Sequence, residues 1–304
     1  MKNLKRTFTY YCSKRISFII TTKDKSDHLD KALSSLANIK TKNDEVIVID
    51  GDSKDDTINI FSKHSHIIDK MISEEDESGP HALNKGIILS SGKYIRQVTD
   101  DDIVYRDALD QAITILDRNE DIDLLVCGGI RKRNNIESPV YINDNVNYGE
   151  NIDDPLIYGA CGAGFIFRRS SIPKIGLMPI GPAADIELAV QSIARGGVVR
   201  FCRLNLFYHP IFEHSYTIKH ADAWNKDIDK ICQIYKIEKP LKFVKKEGIG
   251  YKSIFRPFYD ILPDELKKYY HKIREKIQVE EKVVTDSETN KTKINDIIWD
   301  GGFS

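Results

Sequence analysis

The chain reads as an α/β protein: a Rossmann-like, mostly parallel central sheet flanked by helices, with a C-terminal helical extension. Three observations give this class. Short β-branched runs alternate with helical stretches from Ile16 to Val98, and that order implies parallel strands joined by right-handed crossovers. Polar and acidic residues follow three of these strands, where ligands bind in such sheets. From residue 219 to 277 the pattern turns mainly helical.

The elements follow in order. Residues 16–20, ISFII, form a short apolar run and read as a buried strand. Residues 26–37 read as an amphipathic helix with Leu29, Leu33 and Leu36 on one stripe. Residues 45–50, EVIVID, are a second buried strand, and 55–63 a second helix. A weaker strand is expected at 67–72, then a loop over 73–79 and a helix over 80–89. Ser91-Gly92 would end that helix with a glycine. Residues 94–98 make the fourth strand. Beyond it, 106–118 reads as a helix, 123–130 as a strand, and the glycine-rich 158–167 as a loop entering a strand. A helix at 184–195 and a strand at 198–201 follow. The later helical stretch is broken at Pro240, Gly248, Gly250, Pro257 and Pro263. Residues 280–296 are polar and charged and read as a mobile tail.

Bulk properties narrow the classes. The chain has 304 residues, 41% apolar and 30% charged, which suits a soluble globular protein. The net charge of -1 gives no general attraction to nucleic acid. No apolar run approaches a membrane span. The N-terminus is basic without an apolar signal core. Five cysteines (Cys12, Cys127, Cys161, Cys202, Cys232) are odd in number and form no CxxC pair. Reduced thiols in a cytoplasmic protein follow, rather than a disulfide framework or zinc site.

The most informative residues are Asp100, Asp101 and Asp102, at the exit of the fourth strand. Clustered like charge opposes folding through repulsion and desolvation. A divalent cation removes that penalty, and carboxylates with substrate phosphates are what Mg²⁺ and Mn²⁺ prefer. A solvated acidic turn in which Asp102 caps a helix is the plainer alternative. Two more strand ends carry polar groups: Thr21, Thr22, Lys23 and Asp24 after the first, and Asp50, Gly51, Asp52 and Ser53 after the second. A turn with a helix cap would also account for the second group.

Ordered motifs carry a family resemblance. They are FIITTKD at 18–24, VIVIDGDSKDDT at 46–57, ALNKGI at 82–87, SGKYI at 91–95 and the aspartates at 100–102. Together this set resembles the family 2 glycosyltransferases, which have the GT-A fold. The likeness covers about residues 16–105 and continues more weakly to about 210. Lys23 stands where members often carry an aromatic residue, Gly51 where many carry a second aspartate, and the segment before Ala82 is about one residue shorter.

The resemblance implies roles for particular residues. A GT-A catalytic domain would span 1–215, with a nucleotide-sugar half at about 16–105 and an acceptor half at about 106–215. A helical extension would span 216–278 and a mobile tail 279–304. Thr21, Lys23, Asp24, Asp50 and Asp52 would hold the nucleotide base and ribose. Lys85 would reach the diphosphate, unless it is simply a solvated helix residue. Asp100 and Asp102 would form the metal motif for Mn²⁺ or Mg²⁺, with Asp101 beside the sugar nucleotide. Asp100 and Asp102 share one face if the chain stays extended, though the strand ends here and Asp101 could replace either. Asp185 would be the catalytic base for the acceptor hydroxyl, with Glu187 as second choice; an N-cap is the plainer role for Asp185. The Cys161–Gly164 stretch would let an acceptor approach the backbone. His209 and His214 read as structural, and Arg200, Arg203 and Lys219 as a solvated face.

The expected function is metal-dependent, inverting transfer of a sugar from a nucleotide diphosphate donor, a UDP-sugar, in bacterial surface polysaccharide synthesis. The acceptor would be a hydroxyl of a glycan or lipid-linked glycan. The enzyme would be a hexosyl- or N-acetylhexosaminyltransferase, cytoplasmic or at the inner face of the membrane. The C-terminal helices are open to homo-oligomer or peripheral membrane contacts, with packing on the catalytic domain as the default. A nucleotidyltransferase is weaker, because the first loop (residues 21–26) lacks the glycines of a phosphate loop. An inactive nucleotide-sugar-binding scaffold is the third alternative, which acids at three strand ends oppose.

Overall fold

The structure is a computed structural model, and it describes residues 14–133, 136–140, 147–211 and 221–238. The first part repeats the expected alternation: β1 (Lys14–Thr22), α1 (Ser26–Ile39), β2 (Glu45–Asp50), α2 (Thr57–Lys63), β3 (Lys70–Ser73), α3 (Gly79–Leu89) and β4 (Gly92–Thr99). These strands pair in parallel in the order β3-β2-β1-β4. The second part adds β5 (Ile103–Val104), α4 (Arg106–Arg118), β6 (Leu124–Arg133), β7 (Ile136–Val140) and α5 (Asp154–Tyr158). A 3₁₀ turn (Gly162–Gly164) then leads to β8 (Phe165–Arg168), α6 (Ile172–Ile175), α7 (Ala184–Ala194), β9 (Val199–Ile211) and α8 (Ala221–Tyr235).

The sheet runs β3-β2-β1-β4-β8-β6-β9-β5, with β7 paired to β6. β8 enters antiparallel between β4 and β6. β6 and β9 are parallel, and β5 closes antiparallel on β9. Alternating strand side chains feed two cores. Ile16, Phe18 and Ile20 of β1 pack with Leu29, Leu33 and Leu36 of α1 and Leu109 and Leu116 of α4. Ile19, Ile47, Ile49 and Ile95 pack on the other face with Leu83 and Ile87 of α3 and Leu188 of α7. All six residues of β2 are buried, as expected of a strand covered on both faces. Burying one such leucine contributes about 2 kcal/mol.

A buried acid ties the strand starts together. The Glu45 carboxylate accepts from Ser17 Oγ at 2.6 Å, Ser91 N at 2.6 Å, Ser91 Oγ at 2.9 Å and Lys70 Nζ at 3.0 Å. Burial raises its pKa, but these hydrogen bonds outweigh burial and hold it below the usual glutamate range.

Two expectations change. Gly92 does not end α3: the cap is Ser90, in extended conformation, and Gly92 begins β4. Glycine is needed there because a Cβ would lie 2.6 Å from Ser17 N on the adjacent strand. The strand expected at 198–201 instead runs thirteen residues, to Ile211, through irregular register against β6 at Gly128. Beyond Phe201, Arg203 and Asn205 alternate with buried Leu204 and Leu206, the period of a half-exposed strand. Helix α8 is the described part of the expected helical extension, with Ile228 and Ile231 buried. His214, Lys219, the extension beyond residue 238 and the 279–304 tail lie outside the described residues.

Candidate active site

Parallel register sets the strand ends level. Thr22 at the end of β1 pairs with Asp50 at the end of β2, and Thr21 pairs with Thr99 at the end of β4. Past Thr99 the chain turns, with Asp102 N donating to Thr99 O at 3.3 Å. This turn separates the three aspartates. Thr22 Oγ1 donates to Asp100 Oδ2 at 2.9 Å, which draws Asp100 toward β1. Thr99 Oγ1 donates to Asp101 Oδ1 at 2.9 Å. Asp102 is buried, and its Oδ1 lies 2.7 Å from His209 Nδ1.

His209 arrives from β9. The β5–β9 ladder pairs Ile103 with Tyr208, so the antiparallel register carries Asp102, one residue earlier, toward His209. Asp101, Asp102 and His209 each offer a ligand atom, and these atoms lie within 4.8 Å of one another. Two carboxylates and an imidazole suit a divalent cation. The electrostatics agree. Burial, then the charge of Asp101, pushes the Asp100 pKa up to about 7. Burial and the charge of Asp102 raise Asp101. Burial lowers the His209 pKa, but its hydrogen bond to Asp102 and the charges of Asp102 and Asp101 together outweigh burial and raise it. Such strain between ionised groups is what a bound cation relieves.

The expected metal pair was Asp100 with Asp102. Asp101 was left able to replace either, and the ligand atoms that lie close together are those of Asp101 and Asp102, since the turn at Thr99 ends the extended geometry that puts residues two apart on one face. His209, expected to be structural, joins them. A sequence signal existed, a histidine among apolar strand residues, but only the β5–β9 pairing gives it meaning.

Asp185 sits in the first turn of α7. Its Oδ1 accepts from Ile186 N at 2.8 Å and its Oδ2 from Gly162 N at 3.4 Å. Burial raises its pKa. Arg131 of β6, paired in register with His209, opposes that rise and also lowers His209 and Cys161. The charges of Asp185 and Asp102 both raise the Cys161 thiol. Asp102, His209, Arg131, Cys161 and Asp185 therefore share one electrostatic neighbourhood. Arg131 was absent from the expected site, and its buried Nε has no hydrogen-bond partner among the described residues. Glu187 turns elsewhere: burial and then Asp227 of α8 raise its pKa.

The remaining candidates line the adjoining loops. Asp50 is buried and accepts from Ser53 N at 3.1 Å, Ser53 Oγ at 2.5 Å and Ser73 Oγ at 2.6 Å. Asp24 accepts from Lys54 N at 2.7 Å, while its own N–H donates to Ser53 Oγ at 2.8 Å. Asp52 pairs with Lys54 at 2.6 Å. Asp24 and Asp52 both adopt positive φ, 52° and 63°, a conformation aspartate tolerates better than most residues. Gly51 N donates to Thr22 O at 2.9 Å, linking this loop to the acidic rim. Thr21 is half-buried and Lys23 exposed. Lys85 is held by Glu74 at 2.8 Å and by Glu75 O at 3.1 Å, so its charge is already engaged.

Comparison with known proteins gives a consistent picture. A protein of Rickettsia prowazekii named as an uncharacterized glycosyltransferase is 32% identical over 114 residues, 37% of this chain and 36% of that protein. One of Haemophilus influenzae with the same description is 30% identical over 110 residues, 35% and 34% of the two chains. The chain thus spans about a third of the length of the curated relatives it matches. Among solved structures, Staphylococcus aureus TarS 1-349 in complex with UDP-GlcNAc superposes with a TM-score of 0.58 at 16% identity, covering 75% of this chain and 68% of that one. The mannosyltransferase PcManGT of Pyrobaculum calidifontis, in complex with GDP-Man and Mn²⁺, gives 0.57 at 18% identity, covering 74% and 66%. Residues 17–176, more than half of the chain, match the profile of glycosyl transferase family 2. The chain belongs to that family and has the GT-A fold.

Proposed function

We propose that this protein transfers a sugar from a nucleotide diphosphate donor to a hydroxyl of a glycan or lipid-linked glycan, with inversion at the anomeric carbon. The observation that carries this reading is the grouping of Asp101, Asp102 and His209 in one electrostatic neighbourhood with Asp185. Asp101, Asp102 and His209 would hold Mn²⁺ or Mg²⁺, which supplies Lewis acidity toward the leaving diphosphate when bound. Asp185 accepts the proton of the acceptor hydroxyl. That oxygen bonds to the anomeric carbon as the bond to the diphosphate oxygen breaks, and the nucleoside diphosphate leaves with the electron pair. One displacement inverts the centre and requires no carboxylate nucleophile.

Asp24, Asp50 and Asp52, with Thr21 and Lys23, form the nucleotide side of the site in this reading. UDP-sugars are the first donors to test, with a hexose or N-acetylhexosamine as the transferred group. UDP-GlcNAc and GDP-Man, held by the two solved proteins of similar fold, head the list. Bacterial surface polysaccharide synthesis on the cytoplasmic side is the setting we assign. No helix among the described residues is long and apolar enough to cross a membrane.

The test is a panel of sugar nucleotides with Mn²⁺, scored by thermal protection and slow donor hydrolysis. Asp102→Ala and Asp185→Ala should each abolish transfer while leaving the fold intact. Near-normal turnover in Asp102→Ala would rule out the metal assignment.

A further inference from the structure

The residue that reaches the turn before Asp185 comes from outside its own helix. α7 begins at Ala184 with Ala183 as its N-cap, a residue whose side chain cannot accept a hydrogen bond. Asp227 of α8, 44 residues further along the chain, holds the N-cap residue instead: its Oδ2 accepts from Ala183 N at 3.4 Å. The same oxygen lies against Gly181, where a Cβ would overlap it and would stand 3.2 Å from the carboxylate carbon. Asp227 is only 9% exposed. Its other oxygen meets Lys230 Nζ at 3.2 Å, which offsets the charge on α8 itself. A carboxylate at the start of a helix is also favoured by the helix dipole.

We infer that Asp227 is a positioning residue for Asp185, fixing the 181–183 turn and hence the placement of the Asp185 carboxylate beside Gly162. The inference rests on the reading of Asp185 as base. Among the described residues, no other side chain hydrogen-bonds Asp185. Its two hydrogen bonds go to Ile186 N in its own turn and, at 3.4 Å, to Gly162 N. Its position therefore follows the start of α7, and Asp227 holds that start. Small displacements of a proton acceptor cost turnover rather than donor affinity.

Four variants of the full chain test this: Asp227→Ala, Asp227→Asn, Gly181→Ala and the Gly181→Ala/Asp227→Ala double. Asp227→Ala should lower kcat for transfer about 10-fold with donor KM within twofold, and should speed amide exchange at 181–184. Asp227→Asn keeps an acceptor oxygen and should restore kcat to within about threefold. Gly181→Ala should mimic Asp227→Ala, and in the Asp227→Ala background it should cost less than twofold more, because the space is vacated. Faster exchange in Asp227→Ala with kcat unchanged would overturn the inference. So would equal and additive losses from the two substitutions. Should Asp185→Asn turn over normally, the base assignment itself fails, a result distinct from either of these.

Discussion

His209 Nδ1 lies 2.7 Å from Asp102 Oδ1, although 107 residues separate them in the chain. One sits at the exit of β4 and the other near the end of β9. With Asp101 they make a donor set of two carboxylates and one imidazole. His209→Ala and Asp101→Asn should therefore each weaken Mn²⁺ binding by about 100-fold. Asp100→Asn should change it far less, since Asp100 is committed to Thr22. Mn²⁺ titration followed by electron paramagnetic resonance gives the three affinities. Equal losses for Asp100→Asn and Asp101→Asn would return Asp100 to the metal site.

Asp185→Asn should reduce kcat by about 10²- to 10⁴-fold while nucleotide affinity holds, as expected for loss of a general base. Burial raises the pKa of this carboxyl, and in the proposed role it would work only when deprotonated. Activity should therefore fall on acidification at a pH above that of an ordinary aspartate. The pH profile of kcat in the parent enzyme measures the limb.

Arg131 lowers the pKa of Asp185 through its charge. Arg131→Met removes that charge, so the acid limb should move to still higher pH. A profile that stays in place would mean that Arg131 does not influence the base.

Glu45→Gln should destabilise the fold by about 2 kcal/mol, since a buried carboxylate accepting several hydrogen bonds is replaced by an amide with one oxygen. The folded-state pKa of Glu45 is lowered, so its contribution is present above the unfolded value, about 4.3. It disappears as pH falls through the folded value. Melting temperatures of parent and variant should differ at neutral pH and converge on acidification.

Much of the first half was legible because its strands are buried on both faces and so leave unbroken apolar runs. β2 matches its expected span, residue for residue, and α4 does too, with its apolar stripe. β9 was read only over its start, since beyond Phe201 it alternates polar and buried residues instead of running unbroken like β2. The grouping of Asp101 rather than Asp100 with Asp102 depends on a turn held by one backbone hydrogen bond at Thr99. The place of His209 depends on a two-residue strand, β5, which no periodicity can announce. Arg131 stood outside the expected site for the same reason: its relevance comes from lying beside His209 across β6 and β9.

The short β5–β9 pairing has a practical corollary for anyone recombining this protein with a relative. A graft that exchanges only the segment before residue 106 would replace Asp101, Asp102 and β5 together while leaving β9 and His209 in place, so a foreign seam would meet β9. The three grouped residues are therefore best transplanted with the β6–β9 ladder, as one cassette, rather than by splicing at the apparent midpoint of the chain.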